Sequence, residues 1–67
     1  MTFAEKLSTM MKQKNFTKSK LHEKSGVSRQ SIGRYLKENK VPRESNILAL
    51  AEALECSMYE LLEGVEK

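Results

Sequence analysis

Gly26 stands between two short helical patterns and sets how they can be joined. The stretch 17–36 reads TKSKLHEKSGVSRQSIGRYL. Thr17 is an N-cap type, whose hydroxyl can accept from an unpaired amide of the first turn. Leu21 follows as an apolar anchor. At Gly26 the first helix should end, because a left-handed backbone is usual there and glycine takes it without strain. Val27 is apolar, and Ser28 is again an N-cap type. Ile32, Tyr35 and Leu36 then fall at i, i+3 and i+4, which predicts one buried stripe on a second helix. The other side of that helix carries Arg29, Gln30, Gly33, Arg34 and Lys37. A guanidinium and amide front on a helix with an apolar back suits the edges of nucleic-acid bases.

The charge pattern points the same way. Between Lys12 and Arg43 there are ten Lys or Arg against two Glu, a local charge of +8. From Glu44 onward six Glu face one Lys, a local charge of −5. A basic middle beside an acidic end implies an anionic partner for one face only. The 67 residues predict a single domain over 1–67 with one core. A chain of this size buries only about 60% of its unfolded surface, which leaves no room for a catalytic cleft beside a binding domain. No apolar run approaches the ~20 residues of a membrane span. The start, MTFAEKLSTMMK, is interrupted by charge and lacks signal-peptide shape. One cysteine excludes an internal disulfide, so a cytoplasmic chain is expected.

Helical signals run along the whole chain and predict helices over about 2–14, 18–25, 29–37, 44–55 and 57–63. Thr2 with Glu5 reads as a capping box, and Phe3, Leu7, Met10 and Met11 form the stripe of the first helix. Asn15-Phe16 is a turn, with Phe16 expected to plug the core. After the third helix, Pro42 blocks helix and biases Val41 to extended backbone, with Asn39 as the candidate left-handed cap. The fourth helix should turn Ile47, Leu48, Leu50, Ala51 and Leu54 inward. Ser57 with Glu60 reads as a second capping box, opening a short helix that ends near Gly64. No strand pattern or repeat is visible.

In register these residues resemble the Cro and phage-repressor type of helix-turn-helix regulator. The resemblance rests on Leu21, then Gly26-Val27-Ser28, Ile32, Tyr35 and Pro42. It continues as Ile47-Leu48-x-Leu50-Ala51-x-Ala53-Leu54 and then Ser57-x-x-Glu60-Leu61-Leu62, about Phe3 to Gly64 in all. It implies an all-α, compact five-helix bundle of lambda-repressor-like architecture. It also implies sequence-specific binding of double-stranded DNA by a transcription regulator, with a repressor acting on a palindromic operator as the leading form. In that family the third helix enters the major groove and the second crosses the backbone. Carried over, Arg29, Gln30 and Arg34 are the base readers, with Ser28 and Ser31 beside them. The chemistry agrees, since arginine fits guanine O6 and N7 and glutamine fits adenine N6 and N7. Thr17, Lys18 and Ser19 at the start of the second helix, and Lys37, Asn39, Lys40 and Arg43 after the third, are the expected phosphate contacts. The family's C-terminal end often supports dimer contacts, here Tyr59, Leu62 and Val65 as a candidate apolar patch of a homodimer.

Four residues depart from the family pattern. His22 replaces a usual alanine, and is expected either to tilt outward or to wedge near Ile32 and Tyr35. Lys18 replaces a frequent glutamine, which makes a phosphate contact there more purely electrostatic. Glu38 stands where glycine often ends the third helix, which shifts the cap to Asn39. Glu55 stands at another frequent glycine and should be strained. Gly33, in mid-helix, would let the third helix approach the bases closely, or is a tolerated drift. Cys56 is read as a buried thiol, with an intermolecular disulfide as the alternative.

No constellation for catalysis, metal or cofactor stands out: one His and one Cys are too few ligands for a metal, and no carboxylate pair is evident. An enzyme and a small-molecule substrate are therefore not expected. A second reading is an antitoxin-like protein–protein module that also binds DNA. Attachment to anionic lipid would need apolar residues that the core already uses, so no membrane partner is expected.

Overall fold

Each helix begins at a residue whose side chain can replace a missing backbone partner, except the fourth. The computed structural model describes residues 1–38 and 40–65. Its elements are α1 (Phe3–Gln13), α2 (Lys18–Ser25), α3 (Arg29–Lys37), α4 (Glu44–Ala53) and α5 (Met58–Leu62), with no strand among the described residues. At α1 the capping box is complete: Thr2 Oγ1 accepts from the Glu5 amide at 3.1 Å, and Glu5 Oε1 accepts from the Thr2 amide at 2.9 Å. The Thr2 amide first, and its hydroxyl second, hold the Glu5 carboxyl below the usual carboxylate range. At α5 only the serine half forms, from the Glu60 amide to Ser57 Oγ at 3.1 Å. Arg43 precedes α4 and gives it no side-chain cap.

The helix ends follow backbone chemistry. Gly26 closes α2 at φ 77°, with its amide donating to the His22 carbonyl. Glu38 closes α3 in extended backbone, φ −92° and ψ 146°. The left-handed cap expected at Asn39 lies outside the described residues. Glu55, after α4, does take φ 58°, the strained geometry expected for a side chain at a glycine position.

Every helix contributes to one core. Phe3, Leu7, Leu21, Ile32, Leu50, Leu54 and Leu61 are almost inaccessible to solvent. Each such burial stabilises by roughly 1.5–3 kcal/mol against exposure. α3 packs on α1 and α2, α2 also on α4, and α5 on α1 and α4. α3 is therefore supported from behind by α1 and α2. No described helix is long and apolar enough to cross a membrane.

Several expected core residues sit elsewhere. Leu48 is 46% exposed, because Ile47, Leu50, Ala51 and Leu54 already complete the inward stripe of α4. Phe16 lies half-buried at the rim rather than plugging the core, with the Lys20 and Lys24 ammonium groups 4.9 and 5.9 Å from its ring centre. Tyr35 and Leu36 are half-buried, while Ile32 alone of that stripe is fully enclosed. Cys56 is half-buried rather than buried, and its burial, with Glu60 nearby, pushes the thiol up.

Candidate nucleic-acid interface

The residues that bring charge to the surface of α3 are placed by what its other side buries. Ile32 locks the rear of the helix into the core. Tyr35 adds two ties: its ring meets Phe3 edge-on at 6.4 Å, and its hydroxyl accepts from Asn46 Nδ2 at 2.7 Å. The first joins α3 to α1 and the second joins it to α4. With the rear fixed, the 3.6-residue period turns Gln30, Arg34 and Lys37 outward, with Arg29 at the rim. All four are exposed. Neither Arg29 nor Arg34 is engaged by a carboxylate among the described residues, so both guanidiniums are free to meet an external acceptor.

The serines at the start of α3 divide their work. Ser28 Oγ accepts the Ser31 amide at 3.1 Å and donates to Ser31 Oγ at 2.9 Å. Its proton is thus used inside the cap. Ser31 keeps its own proton to donate, and it is half-buried at the edge of a groove. That groove, of ≈ 350 Å³, brings Ser31 and Arg34 together with Lys40, Arg43 and Asn46, over a floor formed in part by Tyr35 and Pro42. Two of the expected base contacts and two of the expected phosphate contacts therefore line one concave surface. Glu38 lies on it as well, the only acidic one among the described lining residues.

The remaining expected contacts are spread around this surface. Thr17, Lys18 and Ser19 are exposed at the start of α2. Thr17 Oγ1 accepts the Lys20 amide at 3.1 Å, which leaves its hydroxyl proton for an outside acceptor. Lys37 is exposed at the end of α3. Asn39 lies outside the described residues. On α5, Tyr59 is 88% exposed. Leu62 and Val65 are instead half-buried against the core, so the expected apolar patch is reduced to one tyrosine with two covered neighbours.

His22 is half-buried. Its Nδ1 lies 2.8 Å from the Val27 carbonyl oxygen, on the turn that joins α2 to α3. That contact and the Asn46–Tyr35 bond both escape sequence reasoning. Each depends on how two elements meet, and a polar residue flanking an apolar stripe is the only signal either leaves in the sequence.

Two helices joined by a left-handed glycine, the second supported from behind and cationic in front, define a helix-turn-helix. Residues 6–67 match the profile of the Cro/C1-type helix-turn-helix DNA-binding domain. The chain belongs to that family, and is a DNA-binding transcription regulator of its class. Among solved structures it is similar to the DNA-binding domain of the P22 c2 repressor, with 30% identity and a TM-score of 0.85 over 96% of this chain and 84% of that one. It is also similar to the restriction-modification controller protein C.AhdI from Aeromonas hydrophila, with 29% identity and a TM-score of 0.81 over 88% and 89% of the two chains. No curated protein matches it by sequence. The all-α five-helix architecture expected from the resemblance is the observed one.

Proposed function

We propose that the chain is a repressor that binds a palindromic operator as a homodimer, with α3 of each copy in the major groove. The observation that carries this is the free, exposed row of Arg29, Gln30 and Arg34 on a helix whose Ile32 is fully enclosed. In this reading Arg29, Gln30 and Arg34 read base edges, with Ser31 and, through the cap, Ser28 at the edge of the contact. Thr17, Lys18 and Ser19 hold one phosphate run. Lys37, Lys40 and Arg43 hold the other, together with Asn39. The whole chain acts as one DNA-binding unit in the cytoplasm. Similarity to a phage repressor's DNA-binding domain supports the repressor form. The exposure of Tyr59 on α5 supports that end as the dimer contact, with Leu62 and Val65 beneath it. Two copies would then place their α3 helices about 34 Å apart, one turn of duplex.

Selection of bound sites from a random duplex pool gives the operator, its symmetry and its spacing together. On that operator, Arg29→Ala or Gln30→Ala should reduce discrimination against random DNA, by about 1–3 kcal/mol for a good bidentate pair. Lys40→Ala should weaken both duplexes about equally and flatten the salt slope by about one. The same loss pattern in all three variants would show that the roles are wrongly assigned. Sedimentation of the free protein as a monomer at high concentration would contradict the dimer.

A further inference from the structure

The turn that delivers α3 is clamped by side chains from the end of α2. His22 Nδ1 stands 2.8 Å from the Val27 carbonyl oxygen. A carbonyl only accepts, so Nδ1 carries the proton and donates it. In the neutral ring Nε2 is then bare, and it has no partner among the described residues. Ser25 Oγ accepts the Val27 amide at 3.1 Å, and the Gly26 amide donates to the His22 carbonyl at 2.9 Å. Both polar backbone groups of Val27, itself 8% exposed, are therefore satisfied by side chains of α2. The next residue, Ser28, is the N-cap of α3. The clamp stops one residue before the helix that carries Arg29 and Gln30.

We propose that His22 is a positioning residue for base reading. Through the Val27 carbonyl it fixes the direction in which α3 leaves the turn, and with it the placement of Arg29 and Gln30. This rests on the reading of α3 as the base-reading helix. The turn has a particular need for such a clamp. Gly26, at φ 77°, is its most permissive residue, so the backbone alone fixes the direction of α3 weakly. Without the imidazole, the Val27 carbonyl loses the one hydrogen-bond partner it has among the described residues. Base contacts need their donors in place before binding, since ordering them afterwards costs affinity for the matched site. Lysines and arginines on phosphates tolerate a misdirected helix far better. The loss should therefore fall on discrimination and spare affinity for random duplex.

The test compares His22→Ala with His22→Asn. The Asn side-chain amide stands close to where the His Nδ1 stands and keeps a donor, whereas Ala removes it. Four readouts are taken: thermal melting, the imidazole tautomer by nitrogen NMR, amide exchange at Ser31 and Ile32, and binding to selected and random duplexes. The wild-type ring should show the Nδ1-protonated tautomer when neutral. His22→Ala should lose about three- to tenfold in discrimination, the worth of one hydrogen bond. Its affinity for random duplex should hold, while exchange at Ser31 and Ile32 quickens. His22→Asn should recover most of the discrimination although Asn is the poorer helix former, which separates the bond from helix propensity. An Nε2-protonated ring would overturn the proposal, as would unchanged discrimination in His22→Ala or equal losses in the two variants. If His22→Ala does not fold, the tautomer and His22→Asn decide: an Nε2-protonated ring, or His22→Asn losing discrimination tenfold or more, overturns the proposal. If the wild-type protein binds no duplex, the reading of α3 fails, and the tautomer and amide exchange still decide the clamp.

Discussion

Two residues other than glycine take left-handed backbone, Asn15 at φ 57° and Glu55 at φ 58°, and they are not equivalent. Asparagine tolerates that region, whereas a glutamate there meets its own carbonyl at a cost of about 1–2 kcal/mol. Glu55→Gly removes the strain but loosens the unfolded chain by about 0.4–1 kcal/mol. A net gain of roughly 0.5–1 kcal/mol is expected, seen as a rise of a few degrees in the melting midpoint. A fall in the midpoint would show that Glu55 makes contacts worth more than the strain. Gly33 poses the opposite question. A Cβ built there meets nothing within 4 Å, so the free protein has room for one. Gly33→Ala should stabilise the free chain by about 1 kcal/mol, the ordinary difference in mid-helix. If α3 lies tightly against DNA, the same methyl should weaken operator binding. Stabilisation with unchanged binding would make Gly33 a tolerated drift and place the closest approach elsewhere.

The mounting of α3 is where the sequence was most and least informative. Its bounds, its N-cap and the enclosed Ile32 follow from spacing alone, because an N-cap serine and one apolar period leave little choice. α1 was equally legible: Phe3, Leu7, Met10 and Met11 are all buried, as their spacing implies. Leu48 was misread because apolarity was counted where angle decides. With Ile47, Leu50, Ala51 and Leu54 at 0, 3, 4 and 7, a leucine one place after the first must point away. Phe16 was misread because a turn aromatic beside lysines can be covered by their ammonium groups instead of by the core. The tie from α3 to α4 was invisible, since Tyr35 and Asn46 are eleven residues apart on different helices. Tyr35→Phe tests its weight. It should keep the edge-on contact with Phe3 and strand the Asn46 amide, lowering stability by about 1 kcal/mol in a denaturant melt. No change would mean that water replaces the hydroxyl without loss.

In the whole molecule, the basic stretch from Lys12 to Arg43 and the acidic stretch from Glu44 onward meet where α2 packs on α4. The fold therefore carries opposite charge on different elements rather than an even mixture. Such a separation of charge would favour approach to an anionic duplex by the basic elements. The site itself was only partly legible. The front of α3 could be read from spacing, whereas the groove joining Ser31 and Arg34 to Lys40 and Arg43 arises from the path of the loop around Pro42. The most direct measurement is a titration of nitrogen-15-labelled protein with the selected duplex, followed by amide and side-chain NMR. The largest shifts should fall on Ser28 to Lys37, on Thr17 to Ser19 and on Lys40 to Arg43, with Arg29 and Arg34 side-chain signals slowed in exchange. Shifts confined to α5 and the end of α4, with α3 unmoved, would contradict the account.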